Sequence, residues 1–224
     1  FLRSVFMAMS WALMVRIKTG SFWFSLRSIS RIGLLAGLLQ GIDRLAFVTA
    51  VQTTTVANTL TIFAAVPAFA AVFAWFVLGE RCGLVKSLAI AASLAGVIII
   101  CGSDLSATGL FGNSMAVISA VLFGGCIVCL RFSTKAAVLE SLFLSAVFSA
   151  VMAFPFVDFS AGVAPMDLAI IAFQGLVLLP IGFGLYFLGT NYLPAAEVAL
   201  IGLLETVLAP LLAWAVLAEV PSQH

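Results

Sequence analysis

The residues of this 224-residue chain that could do chemistry are few, and they stand out because most of their neighbours are apolar. Asp43 and Arg44 interrupt the segment from 31 to 50, and Glu205 sits at the centre of the segment from 195 to 217. At mid-membrane each such charge costs about 2.5 to 3.5 kcal/mol, so three of them facing lipid would cost roughly 8 to 10 kcal/mol. They must therefore face a protein interior, either as a static buried ion pair or as a gate or site whose charge changes as solute or proton binds. On a helix that advances roughly 100° per residue, Arg44 shares a stripe with Gly33, Gly37 and Gln40, a spacing suited to close helix packing. Asp43 points about a quarter-turn away. Arg44 then needs an acidic partner on another helix, and Glu205 is the comparably central one, which predicts an Arg44 to Glu205 contact.

Weaker candidates surround these three. Glu197 follows Pro194 and reads as a helix-start residue that neutralises orphan amides and the positive end of the helix dipole. It stays a candidate for the solute or proton pathway, together with Asn58 and Gln174. Glu140 reads as a helix-start residue as well. Thr53, Thr54, Thr55, Asn58, Thr59 and Thr61 make one helix start hydrophilic, while Gln174 and Asn191 lie toward opposite ends of another span. Pro67 and Pro180 fall near mid-span, where a missing backbone bond permits a kink and leaves a carbonyl available to a ligand. Cys82, Cys101, Cys126 and Cys129 lie in or beside apolar runs. Cys126 and Cys129 form a C-x-x-C with no second pair or upstream His, so they read as small apolar side chains. No catalytic Ser/His or paired-Asp set, metal-binding motif or phosphate loop is present, so no enzyme, metal site or cofactor is expected.

The elements that must hold these residues follow from composition. The chain is 64% apolar and 8% charged, against about 25% charged for soluble domains. Its mean hydropathy is +1.27. A net charge of +1 on ten basic residues leaves no basic surface for nucleic acid. Spans of about 20 residues give helices near 1 to 17, 31 to 50, 53 to 78, 84 to 102, 109 to 131, 136 to 157, 168 to 190 and 195 to 217. Arg16, Lys18, Arg27, Arg31, Arg81, Lys86, Arg131 and Lys135 then fall on one side, which the positive-inside rule makes cytoplasmic. Asp104, Asp158, Asp167 and Glu219 lie opposite, with Arg3 as the basic exception, and Trp75 and Trp214 read as interfacial anchors. The expectation is an all-α, multi-pass integral membrane protein of the cell (inner or plasma) membrane.

The sequence also repeats. Ala74, Trp75, Val77, Leu78 and Glu80 recur as Ala213, Trp214, Val216, Leu217 and Glu219, an offset of 139 that also carries 31 to 50 onto 170 to 189. Five helices separate the copies, and an odd number turns the second upside down, as in inverted-repeat secondary transporters. The counterparts of the helices at 109 and at 84 to 102 would fall beyond Phe1 and His224. The expectation is eight visible helices of a ten-helix inverted-repeat bundle, with a first repeat over 1–102 and a second over 109–224.

Thr54, Val56, Ala57 and Asn58 through Pro67 to Leu78, Gly79, Glu80 and Arg81, followed by an apolar helix with Gly96, resemble the EamA-type half of the drug/metabolite transporter superfamily. Leu193, Pro194, Ala195, Ala196 and Glu197 through Glu205, Pro210 and Trp214 to Glu219 and Pro221 are similar to the second EamA unit. The resemblance implies ten helices in two inverted repeats, cytoplasmic termini and transport of small metabolites such as amino acids and their relatives, nucleotide sugars or toxic compounds. Some relatives have proline directly after the ninth-helix glutamate, where this chain has Thr206. The leading reading is a secondary transporter moving a small, amino-acid-like or similar polar or amphipathic solute by alternating access, with proton coupling through Glu205 as an option. Its partners are that solute and the lipid bilayer. A non-transporting membrane scaffold or sensor is the alternative, and a channel is weaker because no ring of charge or filter loop is seen.

Overall fold

The computed structural model describes residues 1–20, 29–79, 83–103, 107–133, 135–157 and 162–202. Among them the chain is helical, with no strand: α1 (Leu2–Thr19), α2 (Arg31–Thr53), α3 (Val56–Phe63), α4 (Val66–Leu78), α5 (Leu84–Ser103), α6 (Ala107–Arg131) and α7 (Lys135–Ala153). A 3₁₀ turn (Phe154–Phe156) closes α7, and α8 (Pro165–Phe173) passes through a π turn (Gln174–Leu178) into α9 (Leu179–Gly189). The chain is helical again from 195 to 202, here α10. Among the described residues, five helical stretches are long and apolar enough to cross a membrane: Arg31–Thr53, Asn58–Leu78, Gly109–Arg131, Ala137–Phe156 and Pro165–Gly189. The protein is an all-α integral membrane protein.

Local chemistry sets the ends and breaks. The Ser30 hydroxyl accepts the Gly33 N–H at 3.0 Å to cap α2, and the Thr55 hydroxyl accepts the Asn58 N–H at 3.1 Å to cap α3. Gly79 closes α4 at φ 66°, a left-handed turn that glycine adopts without a Cβ clash. The span expected over 53 to 78 is interrupted. Thr53 ends α2, Thr54 is extended at φ −132° and ψ −178°, and the helix resumes at Val56 and breaks again at Ala64 and Ala65. That second break lies just before Pro67, because proline lacks the N–H and crowds the carbonyl four residues earlier.

α2 is the hub, with one face on α7 and another on α6. A methyl group built on Gly37 would lie 2.9 Å from Leu144 Cβ and 2.9 Å from the Ser141 carbonyl, and one on Gly41 would lie 2.8 Å from Phe148 Cβ. Gly33, Gly37 and Gly41 thus bring the α2 backbone against the Ser141, Ser145 and Ser149 ridge of α7, and the advancing partners show the two helices running in the same direction. α1 crosses α7 in the opposite direction, since Phe1 stacks edge-on to Phe154 at 5.8 Å and Ser4 Oγ lies 3.1 Å from Ser149 Oγ. Trp11, Ile127, Leu130, Leu142 and Phe187 are fully buried between these helices.

The contact around Gly37 recurs at Gly175, where a methyl group would meet Phe6 Cβ, the Arg3 carbonyl and the Met7 nitrogen. Gly37 meets Leu144 Cβ, the Ser141 carbonyl and the Ser145 nitrogen, so glycine and partners are all displaced by 138. Past the π turn the offset read from the sequence, 139, returns. A turn closed by i to i+5 bonds holds one residue more than an α turn, and Gln174–Leu178 is where the extra residue sits. The direct overlay of 31 to 50 on 170 to 189 is thus out of step by one residue before that turn.

Candidate functional site

Arg44 stands on α2 with both terminal guanidinium nitrogens enclosed and without a hydrogen-bond partner among the described residues. Its Cζ lies 5.5 Å from the centroid of the Phe183 ring on α9. A desolvated cation over an aromatic face gains about 2 kcal/mol. Enclosing an ion still costs several kcal/mol, so the ring alone does not balance this charge. Its position is informative, because 44 and 183 differ by the repeat offset of 139. The same register position of each copy meets its counterpart here.

Asp43 turns the other way. It is 5% exposed and accepts a 2.6 Å hydrogen bond from the hydroxyl of fully buried Ser119 on α6. Near it, buried Cys126 lies 3.5 Å from the Ala36 carbonyl as a small core side chain, and both Cys126 and half-buried Cys129 are free thiols. No group of three metal-ligating side chains occurs among the described residues.

The remaining candidates are scattered. Glu205 lies outside the described residues, and so does the contact with Arg44 that the sequence predicts for it. Asn58 is half-buried in the first turn of α3, with its N–H on the Thr55 hydroxyl, and Glu197 lies in the first turn of α10 with its N–H on the Pro194 carbonyl at 3.0 Å. Gln174 opens the π turn, and its carbonyl accepts the Leu179 N–H. Glu140 is not a helix-start residue: α7 begins at Lys135, which puts Glu140 in the second turn, 5% exposed. Pro180 does not leave a carbonyl open to a ligand. It has no N–H for the Leu176 carbonyl four residues before, and the Ser10 hydroxyl of α1 donates to that oxygen at 2.8 Å.

Four groups escaped the sequence reading, the Ser119 partner of Asp43 and three more. Asn113 of α6 is 1% exposed, accepts from the Thr54 hydroxyl at 3.0 Å, and its amide nitrogen has no partner among the described residues. Trp11 is fully buried with its indole N–H equally unmatched. Arg131, read only as a topology charge, donates to the Thr190 and Leu193 carbonyls at 3.1 and 2.7 Å and so clamps the C-terminal end of α9. Ser119, Asn113 and Trp11 are uncharged, and only their buried setting marks them.

The comparisons with known proteins agree with this architecture. The model of the EamA-like transporter family matches residues 1–102 and again 110–224. No curated protein matches the chain. A solved crystal structure of a protein aligns with a TM-score of 0.64 at 15% identity, covering 98% of this chain and 91% of that one, a likeness of fold. With two family matches that together span almost all of its residues, the chain belongs to the EamA-like transporter family, membrane transporters of the drug/metabolite transporter superfamily.

Proposed function

We propose that this chain is a secondary transporter that moves a small polar or amphipathic metabolite, amino-acid-like in size, by alternating access. The two family-matched halves, 1–102 and 110–224, are the units that rock, and the solute sits between them, where such transporters bind near the bilayer midplane. One observation carries this reading: the enclosed guanidinium of Arg44 lies against Phe183, its own repeat counterpart, at the meeting of α2 and α9. A charge held at that place without a described acceptor supports a role in binding rather than in fastening helices.

In this reading Glu205 supplies the acidic partner of Arg44 and takes up a proton as the carrier turns, since a buried carboxylate has a raised proton affinity. Asp43, with Ser119, stays a fixed part of the α2 to α6 seam. Solute counterflow in proteoliposomes tests the proposal, because a scaffold or sensor gives none. Glu205→Gln tests the coupling: counterflow should persist while its dependence on pH is lost. Unchanged pH dependence removes Glu205 from that role.

A further inference from the structure

The π turn between α8 and α9 is not needed to place the residues on either side of it. Upstream, Gly175 is seated on Arg3, Phe6 and Met7 of α1 as Gly37 is seated on Ser141, Leu144 and Ser145 of α7. Downstream, Phe183 meets Arg44, its own repeat counterpart. The first copy runs from Gly37 to Arg44 in plain α-helix inside α2. The second copy takes one residue more from Gly175 to Phe183 and stores it in Gln174–Leu178. A residue added to an α-helix turns everything beyond it by about 100°, and the wider turn cancels that rotation. Val177 and Leu178 are exposed, so the extra residue fills no core either.

What the turn changes is the backbone. The Leu179 N–H reaches back five residues to the Gln174 carbonyl, and Pro180 brings no N–H to the Leu176 carbonyl. That oxygen is held at 2.8 Å by the Ser10 hydroxyl, which stands on α1 and so in the other family-matched half. Helices bend where the ladder is interrupted by proline or by a π turn, and both interruptions coincide here. The two sides of the joint are also held differently. A methyl group on Gly175 would meet backbone, the Arg3 carbonyl at 2.8 Å and the Met7 nitrogen at 3.3 Å. α9 meets side chains instead: Trp11 would touch a methyl group on Gly184 at 3.0 Å, Arg44 lies on Phe183, and Arg131 donates to the Thr190 carbonyl. We infer that the π turn is a hinge about which α9, carrying Phe183, swings against α8, and that the Ser10 hydroxyl is its catch. The catch is closed in this structure and is released as Phe183 leaves Arg44. This rests on the transporter reading and adds to it the joint at which the second half bends, since such joints absorb the backbone change of a moving domain.

The test compares the wild-type chain in lipid nanodiscs with Ser10→Ala, with deletion of Val177 and with deletion of Leu38, its counterpart in α2. Nitroxides carried by an unnatural amino acid at the exposed positions Met166 and Leu185 read the distance between α8 and α9. Wild type should give two distances, Ser10→Ala should enlarge the share of the second, and deletion of Val177 should leave one. That deletion turns the π turn into an α turn and keeps both seats in register, so its unfolding midpoint should equal or exceed that of the wild type. Deletion of Leu38 has no extra residue to absorb it, turns the rest of α2 by about 100° and should prevent folding. In vesicles loaded with a mixture of cellular metabolites, the Val177 deletion should lose the efflux that wild type supports. A single distance in wild type, a Val177 deletion that does not fold, or undiminished efflux through it overturns the hinge. Two distances in wild type that collapse to one in the deletion, without efflux by either, would leave the hinge standing and remove the transporter reading.

Discussion

Gly37→Ala asks whether the α2 to α7 seam is as tight as its geometry says. The added methyl would lie 2.9 Å from Leu144 Cβ and 2.9 Å from the Ser141 carbonyl, where carbon contacts relax at about 3.5 to 4.0 Å. Neither neighbour can rotate away, since one is a Cβ and the other a backbone oxygen, so α2 and α7 must separate by roughly 0.5 to 1 Å. Overpacking of this kind costs about 1 to 3 kcal/mol, against a helix-propensity gain of about 0.8 to 1 kcal/mol for replacing glycine by alanine. The net expectation is destabilisation of about 0.5 to 2 kcal/mol. Gly175→Ala should behave alike, because its methyl would meet Phe6 Cβ at 2.7 Å and the Arg3 carbonyl at 2.8 Å on the repeat-equivalent seam. Gly182→Ala is the control: nothing lies within 4 Å of its methyl, so it should be neutral or stabilising. Unfolding of the three variants in one micelle system is the assay. Gly37→Ala and Gly175→Ala as stable as Gly182→Ala would refute the reasoning.

Other substitutions probe single bonds. Ser119→Ala removes the 2.6 Å bond to Asp43 and should cost about 1.5 to 3 kcal/mol in unfolding, with Asp43→Asn in a double-mutant cycle showing strong coupling between the two. Ser10→Ala leaves the Leu176 carbonyl without its donor beside Pro180, a loss of about 1 to 2 kcal/mol that Ser10→Thr should largely restore. Arg131→Met strips the Thr190 and Leu193 carbonyls of their donor and should make the 190 to 194 turn markedly more sensitive to protease, an increase that Arg131→Lys should only partly reverse because lysine lacks the planar fork.

Much of the fold was legible because charge and apolar length alone divide a membrane chain into spans. Arg31, Arg131 and Lys135 mark helix ends in the structure as they do in the sequence. Proline announced breaks but not their form: Pro67 is preceded by a 3₁₀-like step at Ala64 and Ala65, and Pro180 by a π turn. That π turn holds one extra residue, which explains why a repeat read at 139 fits the ends of the copies and slips to 138 at Gly175. Asp43 and Arg44 were legible as candidates because charge in an apolar run is rare. Ser119, Asn113 and Trp11 were not, since serine, asparagine and tryptophan are tolerated in membrane helices and acquire meaning only from the atom they face. Glu140 was read as a helix-start residue although the helix expected over 136 to 157 already begins four residues before it, and α7 starts at Lys135, which leaves Glu140 one turn in.

The central claim, that a small solute crosses between the two halves at Arg44 and Phe183, is tested most directly by vesicles loaded with a mixture of cellular metabolites. Mass spectrometry then follows what leaves proteoliposomes carrying the wild-type chain, the Arg44→Met variant or no protein. The account predicts that wild type depletes a small set of polar or amphipathic metabolites faster than protein-free vesicles and that Arg44→Met does not. Identical retention of every metabolite by wild-type and empty vesicles would contradict it.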